Sequence, residues 1–290
     1  MAAATIVTYP GGSASEPATV TAVHDAGDRR IVVTDITPFH PLDPWWPDQP
    51  SDVGTIRLGE DISPVERAVL VGVSEADQAI RIGDSQGIKR SDSSWLWSVG
   101  HVIGADAAKT IVPGDTCRLA VDPAYRRAIA MGHTACHIAA LGLNMALMAY
   151  WKKAAKSDGL GNNDFDQEAI FLSRIGEFKS ADHYRIGRSM RKAGFSSDSF
   201  WQHFDETAAD VARHANALLQ DIDAIEVLPD RTPFHARRSW IARYKGQELA
   251  IPCGGVHIAN PRDIRSIEIE LRRAEDAGEF VMHTHAVAAG

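Results

Sequence analysis

Two short segments of the sequence carry the side chains best suited to chemistry, His133-Thr134-Ala135-Cys136-His137 and Cys253-Gly254-Gly255-Val256-His257. In the first, two imidazoles stand four residues apart. On a helix that spacing stacks them on one face, about one turn apart, within reach of a single metal ion. In the second, a cysteine and a histidine flank a double glycine, whose freedom lets the backbone turn tightly and approach a ligand closely. Taken singly, each segment has an ordinary reading: surface or packing histidines on a helix, and a buried free cysteine before a glycine turn. Together they supply three nitrogens and one sulfur, a soft, nitrogen-rich set that suits Zn2+. Zinc chemistry here would be activation of water or polarisation of a carbonyl oxygen. Four protein ligands also describe a closed, structural zinc, so both roles stay open.

Two other groups are weighed against this set. His283 and His285, two apart on an expected strand, share a side and could bind metal. With a complete set elsewhere they read as a solvated strand face. Cys136 lies roughly 100° from His137 around a helix, which favours packing over ligation.

A helix must carry the first segment. Pro123 suits a first helical turn, and no proline interrupts residues 124–157. Ile129, Leu141, Met145 and Met148 recur near the helical period, and Ser157-Asp158-Gly159 and Gly161-Asn162-Asn163 supply the stop. Residues 164–194 and 204–226 also read as helical, the latter with Val211, Leu218, Ile222 and Ile225 as an apolar stripe. Residues 239–244, 265–271 and 280–285 read as strands. Upstream, residues 19–24, 30–34, 65–73, 96–103 and 116–121 are strand candidates separated by turn chemistry such as Pro113-Gly114-Asp115. Residues 1–17, small and polar, read as a flexible leader. The expected fold class is α+β: a small N-terminal β-barrel over 18–121, then an α+β domain over 122–290 with a long metal-binding helix.

Bulk composition narrows the setting. The chain has 290 residues, 44% hydrophobic and 23% charged, with a net charge of -8, so any phosphate-binding face must be local. Its three cysteines, Cys117, Cys136 and Cys253, form no disulfide framework and indicate a reducing compartment. No segment approaches the ~18 uninterrupted apolar residues of a membrane span, and no secretory leader is apparent. The expected location is cytoplasmic, with no membrane partner.

At this point the sequence resembles a known family. His133 to His137 closely matches the His-Thr-Ala-x-His motif of the alanyl-tRNA synthetase editing domain and of the free-standing alanyl-tRNA editing proteins. Cys253 to His257 resembles their Cys-Gly-Gly-Thr-His. Val121-Asp122, Arg126 and Met131 resemble the family's approach to the histidine helix. Thr37-Pro38-Phe39-His40-Pro41 and Asp52-Val53-Gly54 resemble its Thr-x-Phe-Tyr-Pro and Asp-x-Gly, and the lead-in after the metal loop, residues 263–267, is similar too. The resemblance runs in order from about Val20 to Val287. It implies zinc-dependent hydrolysis, in trans, of the ester in a mischarged aminoacyl-tRNA, with seryl- or glycyl-tRNA for alanine as substrate and tRNA as partner. Two departures bear on specificity. The family's Gly-Gly-Gln falls within Asp43-Pro44-Trp45-Trp46-Pro47-Asp48-Gln49, where Gln49 alone aligns, and the threonine of the metal loop is Val256.

By resemblance and residue chemistry, His40 and Gln49 are the candidate polar groups at the reacting centre. Trp45, Trp46 and Val256 are candidates for shaping the substrate pocket, the tryptophans by covering it or stacking a terminal adenine. Arg185, Arg188 and Lys192, three and then four residues apart on an expected helix capped by Ser180, would share a face fit for phosphates or simply for solvent. Two rival readings remain: a zinc hydrolase of a small aminoacyl ester or amide on the same fold, and a tRNA- or amino-acid-binding module with structural zinc.

Overall fold

A computed structural model describes residues 4–85, 87–106 and 111–290. The chain is α+β in content, dominated by sheets, and divides into two compact units. One comprises Met1–Arg127, Val227–Ser239 and Pro252–Val256; the other comprises Ala128–Glu226, Trp240–Ile251 and His257–Gly290.

The first unit is organised by an eight-stranded antiparallel sheet. Its strand order is Asp61–Val65, Gly54–Leu58, Thr116–Val121, Ser15–Ala26, Arg29–Thr34, Trp95–Gly104, Arg67–Ser74 and Ile80–Ile82. The first strand of that order runs through a single residue, Glu66, into the seventh, and the Glu66 N–H donates to Val102 O at 2.9 Å. A link of one residue cannot bridge a flat sheet of this width, so the sheet curls back on itself. Ile31, Val33, Val69, Val71 and Val102 pack together at its core. These are β-branched residues, which suit the pleated surface.

Residues 4–17 contain ordered structure where the sequence reads as a leader. Ile6–Val7 pairs parallel to Ile36–Thr37 and antiparallel to Thr232–Pro233. Val7 and Tyr9 are buried, and the strand that follows begins at Ser15. Composition conceals this, because small polar residues suit a paired edge as well as a loose end.

The helix Pro123–Ala146, which continues into the second unit from Ala128, begins on Asp122, whose Oδ1 accepts from the N–H groups of Ala124 and Tyr125, each at 2.9 Å. That caps two of the orphan donors at a helix start, and Pro123 has no donor to cap. From Ala128 to Asn144 nearly every residue is buried, so the helix is enclosed on most faces. Around it lies an aromatic core that includes Phe165, Tyr184, Phe200, Phe204 and Phe280 with Leu143 and Leu147.

Residues 164–194 are mostly not helical, contrary to the sequence reading. After the short helix Phe165–Ala169 come the strands Ile170–Gly176 and Lys179–Arg185, then the six-residue helix Arg188–Ala193. The two strands continue a four-stranded antiparallel sheet with Glu279–Ala288 and Ile264–Arg273. The alternation of Lys179–Arg185 is real, but its buried positions are Ser180, Asp182 and Tyr184. A core-facing row that is two-thirds polar hides the period that marks a strand. Likewise the helix Phe204–Asp221 ends five residues short of the expected boundary and passes into the strand Ile222–Leu228, a member of a three-stranded sheet with Ser239–Tyr244 and Gln247–Pro252.

Buried acids replace apolar packing in this unit. Asp182 accepts from Ser173 Oγ at 2.6 Å and Ser180 Oγ at 2.7 Å, with Cys136 Sγ at 3.5 Å from both its oxygens. Asp166 accepts from Tyr184 Oη at 2.7 Å. Burial pushes the Asp166 carboxyl up to about 7, against the Tyr184 hydrogen bond and with help from the charges of Asp182 and Asp164. Its proton is therefore held more tightly in the folded chain than in the unfolded one. The associated stability is fully present below about pH 4 and is lost as pH rises toward 7. Urea unfolding between pH 4 and 7 should show wild type losing stability relative to Asp166→Asn, by at most ~1.4 kcal/mol per pH unit. Parallel pH profiles for the two proteins would contradict this assignment.

Candidate metal centre

The helix fixes His133 and His137 one turn apart, with ring centroids 5.0 Å from each other. His257 lies 4.3 Å from His133 and 5.0 Å from His137 by the same measure. Cys253 completes the group: one ligand atom from each of His133, His137, Cys253 and His257 lies within 4.8 Å of all the others. Tetrahedral zinc, with bonds of roughly 2.0–2.3 Å to nitrogen and sulfur, needs ligand atoms somewhat closer than this, a contraction that rotamer adjustment supplies.

The surroundings of each ligand fit that role. His137 Nε2 is buried and has no hydrogen-bond partner, an uncommon state for a polar atom unless it binds something else. Burial also pushes His137 down to about 4, which keeps the imidazole neutral and its lone pair available. His257 Nδ1 lies 3.2 Å from Thr134 Oγ1, and Thr134 Oγ1 in turn accepts the Ile258 N–H at 3.3 Å. With Nδ1–H donating to Thr134, Nε2 carries the lone pair, the usual arrangement behind a ligating histidine. Burial pushes the Cys253 thiol up to about 12, opposed by the Gly255 N–H, which donates to its sulfur at 3.4 Å. A cation is therefore what would hold this group as thiolate. The Trp240 ring, fully buried, lies 5.3 Å from His137 and walls that side.

The loop that follows Phe39 supplies further polar groups. Gln49 is 1% exposed, and its Oε1 accepts the Val256 N–H at 3.0 Å, holding the residue next to His257. Val256 is itself buried, so its side chain packs rather than faces solvent. The His40 N–H donates to Asp52 Oδ2 at 2.6 Å, and its ring meets Tyr9 edge-on at 5.0 Å. Burial, then the positive charges of Arg126 and Arg238, push His40 down to about 3, so it is a neutral imidazole at physiological pH. Asp52 is clamped by Arg126, whose Nε and Nη2 donate to its two oxygens at 2.8 and 2.5 Å. The two tryptophans part company. Trp45 is committed to packing, its indole N–H donating to Ile88 O at 2.7 Å and its ring set against Trp97. Trp46 is 62% exposed, with its indole N–H on Asp48.

The basic triad does not form one helical face. Arg185 ends a strand, pairs with Glu279 at 2.5 Å and lies over Phe171, whereas Arg188 and Lys192 are exposed on the short helix after it. The reason is the concealed strand described above, which removes the periodicity on which that face depends. His283 and His285 lie on the strand Glu279–Ala288 of the four-stranded sheet, where His285 Nδ1 comes within 3.9 Å of Glu268, and they are not among the four grouped side chains. Thr134, Trp240 and Arg238 surround the centre and were not singled out by sequence. Thr134 was recoverable from its place between the two histidines.

The chain is similar to alanine–tRNA ligase. The match is to the enzyme of Akkermansia muciniphila, 26% identical over 291 aligned residues that cover 93% of this chain and 26% of the ligase. The chain thus spans about a quarter of that relative's length. No family model matches it. Among the described residues no helix is long and apolar enough to cross a membrane.

Proposed function

We propose that this chain is a zinc-dependent aminoacyl-tRNA deacylase that cleaves, in trans, the ester of a mischarged tRNA, of the kind the alanyl-tRNA editing proteins remove. The observation that carries the reading is the approach of three imidazoles and one cysteine to within 4.8 Å of one another, with His137 Nε2 buried and without a hydrogen-bond partner. Similarity to an alanine–tRNA ligase over nearly the whole chain supports tRNA as the carrier of the ester.

Hydrolysis breaks the bond between the acyl carbon and the ribose oxygen; water gives its hydroxyl to the acyl group and a proton to the ribose. Zinc, when bound by His133, His137, Cys253 and His257, would supply Lewis acidity toward the carbonyl or the water. Thr134 orients His257, and Gln49 fixes the loop through Val256. His40, kept neutral by burial, is the candidate for a hydrogen-bonding group near the reacting centre; its depressed basicity argues against the role of general base. Trp46, exposed, is the better placed of the two tryptophans to meet a base.

The test is deacylation of seryl-, glycyl- and alanyl-tRNA with and without a zinc chelator. Chelator-sensitive release of the amino acid is expected, and no release from any of the three would overturn the reading. The complete four-ligand set favours a second reading, a tRNA- or amino-acid-binding module around structural zinc. Binding without turnover in the same assay would select it. Specificity gives a finer prediction. Val256 has a methyl where relatives of this kind carry a hydroxyl, and a site lacking a hydrogen-bonding group discriminates less against a substrate lacking its partner. Wild type should prefer seryl over alanyl esters only weakly, and Val256→Thr should raise that preference by about tenfold, the value of one hydrogen bond. A strong serine preference unmoved by the substitution would contradict this.

A further inference from the structure

Among the described residues, Arg238 is a buried cation without a matching anion. Three arginines influence the Tyr9–His40 pair: Arg90, Arg126 and Arg238. Arg90 is paired with Asp43 at 2.8 Å, and Arg126 with Asp52 at 2.5 Å. Arg238, 5% exposed, makes no ion pair with a carboxylate among the described residues. Asp48, the other acid of the 43–49 loop, is engaged by the Trp46 indole and the Gln49 N–H. A guanidinium keeps its charge at any physiological pH, and burying it without a counter-charge is costly.

The protein meets only part of that cost. Arg238 Nη2 donates to Pro233 O at 3.2 Å and Phe234 O at 3.0 Å, and the guanidinium lies 5.7 Å from the Tyr9 ring and 5.9 Å from the Phe234 ring. Its Nε is buried with no partner, and so are Tyr9 Oη and His40 Nδ1. Arg238 Nε and Tyr9 Oη are two unmatched donors in one cluster, one of them on a cation, and point to an anionic ligand that accepts hydrogen bonds. The cluster adjoins the metal loop. Arg238 O accepts the Cys253 N–H at 3.1 Å, and a Cβ placed on Gly254 would meet Arg238 Nη1 at 3.4 Å, with no other atom so near. Gly254, next to a candidate ligand, is half-buried.

We propose that Arg238, with Tyr9, forms the subsite for the phosphate of the nucleotide that bears the scissile ester. The assignment rests on the deacylase reading, because that substrate presents a phosphate one ribose away from its reacting carbonyl. It places phosphate recognition beside the metal loop rather than on the Arg185–Lys192 segment.

Calorimetric titration of the zinc-loaded protein with adenosine, AMP and inorganic phosphate tests it independently of turnover. AMP is expected to bind about tenfold or more tightly than adenosine, the scale of one hydrogen bond to a charged group. Arg238→Gln should abolish that preference, with zinc content and melting temperature recorded to show that the variant is folded. If Arg238→Gln fails to fold, Arg238→Lys takes its place and should weaken the preference, since a point charge cannot reproduce the guanidinium fork. Equal binding of AMP and adenosine by wild type overturns the proposal, as does a preference that survives in the folded variant. Binding of inorganic phosphate as tight as that of AMP would mean a site for the free ion and would overturn the nucleotide assignment. An AMP preference in a protein that cleaves no aminoacyl ester would leave this subsite standing and remove the deacylase reading.

Discussion

The purified chain is expected to retain about one zinc per molecule through dialysis, and His137→Ala or Cys253→Ala to retain little or none. The two residues test different parts of the site. His137 is a half-buried neutral imidazole whose Nε2 is buried with no other partner, so its removal deletes a ligand and leaves a void beside Trp240. Cys253 supplies the one soft ligand. Because burial holds its thiol up at about 12, zinc binding at pH 7 should release about one proton, whereas His137, already neutral, should release none. Calorimetry of zinc binding in buffers of different ionisation enthalpy counts that proton. Loss of metal should also lower the melting temperature by an amount that depends on free zinc, since the ion binds the folded chain in preference to the unfolded one. Wild-type protein without zinc, or variants that retain it in full, would exclude this metal centre.

How much of this was legible in the sequence varies with the kind of signal. The four ligand candidates were legible because each pair is local. A spacing of four residues on a helix, or across two glycines, brings side chains together whatever the rest of the chain does. The helix was legible because Pro123 opens it and apolar residues fill it, and strands such as Arg29–Thr34 and Thr116–Val121 were legible because β-branched residues concentrate in them, whereas short strands such as Gly54–Leu58, Ile80–Ile82 and Gln247–Pro252 were not. The strands at Ile170–Gly176 and Lys179–Arg185 were not, since Asp182, Ser173 and Ser180 satisfy one another inside and erase the apolar period. The basic helical face depended on the same stretch and was lost with it. Arg238 was illegible for a different reason. Its interest lies in the absence of an ion-pair partner, a property of the folded surroundings on which local spacing has no bearing.

Gly132→Ala is expected to destabilise the chain by about 3 kcal/mol or more, although helix propensity alone predicts a gain of about 1 kcal/mol. Gly132 precedes the first ligand and sits mid-helix, where glycine is normally unfavourable, so its presence calls for a steric reason. A Cβ at this position would lie 2.4 Å from Gly176 O, 2.7 Å from Lys179 N and 2.8 Å from Lys179 O. All three are backbone atoms of the turn between two strands, and no side-chain rotation relieves them. Nor can the turn retreat cheaply. The Phe178 N–H donates to Ala128 O on the helix at 2.8 Å, and Phe178 O accepts the Ala286 N–H from the neighbouring strand at 2.7 Å. Moving the turn breaks these bonds; moving the helix displaces His133, the adjacent residue. The substitution should therefore lower zinc affinity together with stability, even though it removes no ligand. Urea unfolding and zinc competition against a chromophoric chelator measure the two effects. A variant as stable as wild type would show that the helix and turn can separate without cost, and unchanged zinc affinity in a destabilised variant would show that the turn, not the helix, gives way.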